Sequence, residues 1–215
     1  LLPMNFELCT ATFEGAQTAV EMNFKRVELC SGLEVGGLTP SIGLAERCAA
    51  LDIEVHAMIR HRSGGFQYSD TDIAIMKRDI VLMRNAGVRG VVFGVLTSAN
   101  TIADHNSELV AVAKSHGLET TFHRAFDQVK EPLVAIERLI AIGFDRLLTS
   151  GQEPTAIEGI ALIRKLQQSY GDRIQIMAGS GVNANNALAL AETGILEESD
   201  LLFQLPPADL ILEEA

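Results

Sequence analysis

Positive charge is scarce in this chain. Across 215 residues, 17 Lys and Arg face 28 Asp and Glu, giving a formal net charge of -11. A nucleic-acid or anionic-membrane partner needs a basic face, so neither is expected. Cysteine is scarcer still. Cys9, Cys30 and Cys48 are few and odd in number, which excludes a disulfide framework and suits a reducing cytoplasm. There is no apolar run of the ~18 residues a membrane span needs, and Leu1 to Glu7 lack the basic start of a secretory signal. The chain begins without Met, and a few native residues are expected before Leu1. No linker, low-complexity tract or charge block divides the sequence, so residues 1–215 are expected to form a single domain.

Two further absences bear on chemistry. The lysines are Lys25, Lys77, Lys114, Lys130 and Lys165, and none falls in a strand candidate. That argues against a Schiff-base aldolase, which needs a lysine facing a barrel lumen. No GxGxxG follows the first strand, which argues against a dinucleotide fold.

What is present is regular α/β alternation. Strand candidates occupy residues 5–9, 26–30, 54–60, 90–96, 119–125, 146–149 and 173–178, with the weakest at 194–197. Between them lie helical patterns. Thr39-Pro40 reads as an N-cap followed by Pro at the first helical position, ahead of a helix over 43–51 that holds Cys48 as core packing. Residues 72–86 space Ile73, Met76, Ile80 and Met83 by three and four and stop at Gly87. Residues 133–142 and 157–166 repeat the pattern before Gly143 and Gly171. Eight βα units favour a closed (β/α)8 TIM barrel over an open doubly wound sheet. The eighth unit is expected to be short or incomplete, because residues 199–215 leave little room for a loop and a full closing helix.

Strand parity then predicts an unusual interior. Alternate residues point to opposite faces, and the apolar set should face the helices. Phe6, Leu8, Val27, Leu29, Val55, Ala57, Ile59 and Phe122 therefore point outward. Glu7, Cys9, Arg26, Glu28, Cys30, His56, Met58, Arg60 and His123 point inward, where most barrels hold aliphatics. Arg26 begins its strand at the bottom and reads as one half of a structural ion pair. His56 reads as a satisfied core histidine. Glu7, Cys9, Glu28, Cys30, Arg60 and His123 lie nearer the mouth, where the interior side chains of a barrel serve function.

Specific segments carry a resemblance. Arg26-Val27-Glu28-Leu29-Cys30, the Gly36–Ser41 run, Ile59-Arg60-His61-Arg62, Gly64-Gly65-Phe66, Tyr68-Ser69-Asp70, the Phe122–Asp127 run, Leu148–Gly151 and Met177–Val182 resemble the CutC family. They occur in that family's order over roughly residues 5 to 198. The resemblance implies a cytoplasmic TIM barrel, often a homodimer, linked to copper, with no assigned reaction. The sequence departs from the family at Val20–Lys25, where a small Gly-Ala turn is usual, and at His61, where Pro is common. The tail after the eighth strand also differs, and nothing is carried over from it.

The residues permit three kinds of chemistry. Cys9 and Cys30 end neighbouring strands and both point inward, a soft pair suited to Cu(I), with Met58 as a further thioether; the bland alternative is two small buried hydrophobes. An enzyme is the second reading. Glu7, Glu28, His123 and Asp127 are its candidate acid–base groups, acting on a small anionic substrate, phosphorylated ones included. Arg60, Arg62 and Arg124 would clamp the anion, with Thr149 and Ser150 after strand six and Gly179 and Gly181 after strand seven supplying anion-binding turns ahead of a helix opened by Asn183. A Cys30–His123 nucleophile pair stays open. The third reading is a non-catalytic binding module. Copper handling through Cys9 and Cys30 is the expectation, with Cu(I) or a small molecule as ligand.

Overall fold

The computed structural model describes residues 5–191 and 200–204. Eight parallel strands close into one barrel in sequence order. They are β1 (Asn5–Thr10), β2 (Arg26–Leu29), β3 (Glu54–Met58), β4 (Gly90–Phe93), β5 (Glu119–Phe122), β6 (Arg146–Thr149), β7 (Gln175–Gly179) and β8 (Asp200–Gln204). Closure is made where β1 pairs β8, from Asn5 opposite Asp200 to Cys9 opposite Gln204. The expected TIM barrel is therefore present. The segment expected as the eighth strand, residues 194–197, lies outside the described residues, and Asp200–Gln204 closes the barrel instead.

The helices are α1 (Phe13–Glu21), α2 (Ile42–Ala49), α3 (Asp70–Asn85), α4 (His105–Ser115), α5 (Pro132–Ile142), α6 (Ile160–Tyr170) and α7 (Ala187–Ala191). Local chemistry sets their ends. Thr39-Pro40 does not cap α2. Thr39 Oγ1 instead accepts the Arg60 N–H, and Ser41 caps the helix by accepting from Leu44 N. α3 begins two residues before the expected start because Ser69 and Asp72 form a reciprocal capping box. α5 takes Pro132 in its first turn and ends on Gly143 at φ 98°. α7 opens at Ala187 rather than Asn183, whose carbonyl accepts from the Ala187 N–H.

Parity divides the buried side chains as expected. Leu8, Val27, Leu29, Val55, Ala57 and Phe122 pack in the layer between sheet and helices. Cys9, Cys30, Met58, Val92, Leu148, Met177 and Leu202 form a separate cluster inside the barrel. Several strands end short of their expected bounds: β3 at Met58, β4 at Phe93 and β5 at Phe122. Just beyond those bounds Ile59 N still donates to Val92 O and His123 N to Phe93 O, so Arg60 and His123 stand at the mouth, where the ladder gives way to loops. Among the described residues, no helix is long and apolar enough to cross a membrane.

The bottom of the lumen is ionic. Arg26 Nε donates to Glu7 Oε2, and both side chains are 1% exposed. Arg146 donates to Gln175 Oε1 at 2.7 Å and also pairs with Glu119. His56 is not the satisfied core histidine the sequence suggested. Neither ring nitrogen has a hydrogen-bond partner, and Nε2 stands 3.7 Å from Glu119 Oε2. Burial, helped by Arg26 and Arg146, pushes its pKa well below the usual value, so the ring is neutral.

Candidate functional site

The strand ends open on a cavity of about 150 Å³ at the C-terminal face. Its polar lining comes from Cys9, Glu28, Cys30, His123, Arg124 and Ser180. Leu33, Met58, Phe66, Leu148 and Leu202 supply apolar walls. Of the residues named from sequence, the fold thus brings Cys9, Glu28, Cys30, Met58, His123, Arg124 and Gly181 to one chamber. Such a position is where TIM barrels place their ligands.

On one side the two thiols meet. Cys9 Sγ and Cys30 Sγ are 4.0 Å apart, and Glu28 Oε1 lies 3.4 Å from Cys30 Sγ and 3.9 Å from Cys9 Sγ. The β1–β2 register explains this, since Cys9 sits directly opposite Glu28 with Cys30 two residues on. One ligand atom from each of the three residues falls within 4.8 Å of the others, a spacing that can hold a metal ion. Gly37 closes the wall at φ 88°. A Cβ there would reach 3.2 Å from Cys30 Sγ, so glycine serves both the turn and the room for sulfur.

The electrostatics favour neutral groups. Burial, with Glu7 close by, pushes the Glu28 carboxyl up to about 8. Its Oε2 has no hydrogen-bond partner. The Cys30 thiol is raised well above its ordinary value by its contact with Cys9 and by burial. The Cys9 thiol is lowered by Cys30 but raised on balance by burial and the Glu28 and Glu7 carboxyls. Cys48 lies apart in α2, packed in the outer core.

Across the chamber stands His123. Nδ1 accepts the Ala125 N–H at 3.2 Å, while Nε2 has no partner. Burial, with Arg60 nearby, lowers its pKa to about 3. Its ring packs on Phe66 at 4.9 Å between centroids. It also occupies space that a side chain at residue 94 would take: a Cβ on Gly94 would come within 2.7 Å of Nδ1.

The remaining candidates have structural duties. Glu7 does not line the cavity; it lies below, paired with Arg26. Arg60 donates to the carbonyls of Val35, Gly37 and Gly64 at 2.8–2.9 Å, tying two mouth loops together. Arg62 stands outside on the loop, bonded to Gln67 O and Asp72 and stacked over Tyr68. Asp127 accepts from Thr149 Oγ1, Ser150 N and Oγ, Gln152 N and Arg124 Nε. That network fixes the turn after β6, so Thr149 and Ser150 are spent on Asp127 rather than turned to the chamber. Gly179 lies against Leu148, where a Cβ would approach Cδ1 to 2.6 Å. Sequence reasoning missed Leu33 as a wall; the signal was the glycine-rich stretch around it, which curls the β2 loop inward.

Comparison with known proteins agrees with this architecture. The family model described as the CutC family matches residues 4–200. A CutC family protein of Glaesserella parasuis is 44% identical over 190 residues, covering 88% of this chain and 78% of that protein. The copper homeostasis protein cutC homolog of Caenorhabditis elegans is 38% identical over 193 residues, covering 88% and 76%. The crystal structure of CutC from Streptococcus agalactiae superposes with a TM-score of 0.87 at 31% identity, covering 95% of this chain and all of that one. A phosphonopyruvate hydrolase, at 12% identity and a TM-score of 0.68, shares the fold alone. The chain belongs to the CutC family.

Proposed function

We propose that the chain handles copper by binding Cu(I) between Cys9 and Cys30 at the barrel mouth. The observation that carries this reading is the 4.0 Å separation of the two sulfurs on adjacent strands. Two metal–sulfur bonds of about 2.3 Å can span at most roughly 4.6 Å, so one ion can reach both without the strands moving. Soft sulfur ligands suit Cu(I), and Met58 and Leu33 keep the surroundings apolar. The names of relatives, which link this family to copper homeostasis, support the same reading.

The chain's own residues would do three things. Cys9 and Cys30 supply thiolates, and their raised pKa values mean that the ion displaces protons as it binds. Glu28 Oε1 accepts a hydrogen bond from either thiol, which orients the two sulfurs. Gly37, which has no Cβ, leaves the room beside Cys30 Sγ that an ion needs. Free thiols of this kind persist in a reducing compartment such as the cytoplasm. The acid–base alternative has less support, because Glu7 is bound to Arg26 and Asp127 holds the β6 turn.

The test is an anaerobic Cu(I) competition titration of the wild type beside Cys9→Ala/Cys30→Ala. The expected result is one tight equivalent in the wild type and loss of at least about a hundredfold in affinity in the double variant. Equal affinity in both proteins would remove the reading.

A further inference from the structure

We propose that the mouth also binds a small carboxylic acid carrying a second oxygen acceptor, with that oxygen on His123 Nε2–H and the carboxylate on Arg124. This site goes beyond copper handling and does not depend on it. Cys9 and Cys30 belong to the first two strands, whereas His123 and Arg124 follow β5, in a different sector of the eight-stranded ring.

His123 is 5% exposed and lines the cavity. With Nδ1 accepting from Ala125 N, a neutral ring carries its proton on Nε2. That N–H is buried and has no partner. Buried donors left unpaired are rare because they forfeit their hydrogen bond to water, and one on a residue that lines a ligand chamber asks for an acceptor. The low pKa set by burial and by Arg60 keeps the ring a donor of one neutral N–H rather than a charged group.

Arg124 is held in a fixed attitude. Nε donates to Asp127 Oδ2 and Nη2 to Ser150 Oγ, each at 2.9 Å. Nη1 takes part in neither bond, and the side chain is 42% exposed at the edge of the chamber. Asp127 offsets its charge, so Arg124 acts here as an oriented donor more than as a bare cation. A deep neutral donor, a donor at the rim and an apolar wall including Phe66 describe one kind of guest. It has a carboxylate at one end and a carbonyl or hydroxyl oxygen at the other. A cavity of about 150 Å³ takes a guest near the size of benzene, about six heavy atoms.

The experiment is calorimetric titration of copper-free protein with pyruvate. Propionate serves as the probe lacking the keto oxygen, and inorganic phosphate as a plain anion. Pyruvate is expected to bind one-to-one and roughly fivefold to tenfold tighter than propionate, the worth of one hydrogen bond. His123→Ala should bring pyruvate to the level of propionate, whereas His123→Gln, which retains an N–H donor, keeps part of the difference. Arg124→Met should weaken both acids. Cu(I) affinity is expected to be unchanged in His123→Gln, so failure here leaves the copper reading standing, and failure of copper binding leaves this site standing. No pyruvate binding, equal binding of pyruvate and propionate, or phosphate binding tighter than pyruvate and indifferent to His123 would overturn the proposal.

Discussion

Arg26→Met is expected to lower the unfolding free energy by about 3–5 kcal/mol, the usual loss when one partner of a buried ion pair is removed. Arg26 and Glu7 are both 1% exposed, on neighbouring strands at the lower end of the lumen. The guanidinium also lies 3.8 Å from Glu54 Oε2, so the variant withdraws charge from two carboxylates. Glu54 is half exposed and water can replace its partner. Glu7 has no such recourse. The cost should therefore come mainly from a carboxylate buried without its countercharge, not from lost packing. Glu7→Gln/Arg26→Met, which removes both charges, should recover much of the loss. Urea unfolding of the wild type, both single variants and the double variant measures this cycle. A single variant within about 1 kcal/mol of wild type, or a double variant no better than Arg26→Met, would contradict the account.

Acid should unfold the protein partly through its buried histidines. The His123 ring has a folded pKa of about 3, against about 6.5 in an unfolded chain. Its folded value is depressed, so the stability it contributes is fully present above pH 6.5. As pH falls from 6.5 toward 3, the unfolded chain takes up a proton that the folded one refuses, and that stability is lost. The slope is about 1.4 kcal/mol per pH unit for each such group. His56 acts in the same direction, since burial lowers its pKa as well. His123→Gln should therefore remove about half of the histidine slope between pH 6 and 4, as followed by denaturant unfolding at a series of pH values. A slope identical to wild type would show that His123 is protonated in the folded chain.

Much of the site could be read from period two alone. Once Leu8, Val27 and Leu29 face the helices, Cys9, Glu28 and Cys30 must face the lumen, and the structure places them there. The Arg26 reading also followed, because its position at the strand start puts it at the bottom beside Glu7. Loops were less legible. Arg60 shares inward parity with Met58, yet its guanidinium is committed to three loop carbonyls, and side-chain types do not reveal which carbonyls will turn inward. Asp127 looked like an acid–base group but meets five donors from Arg124 and the β6 turn. The eighth strand was sought at 194–197, whereas the run Leu201-Leu202-Phe203 forms the strand that completes the barrel.

X-ray absorption of the Cu(I)-loaded protein reads the ligands of a copper ion held between Cys9 and Cys30. Two sulfur scatterers in the first shell, lost in the Cys9→Ala/Cys30→Ala variant, are the expected result. A first shell of nitrogen or oxygen alone would contradict it.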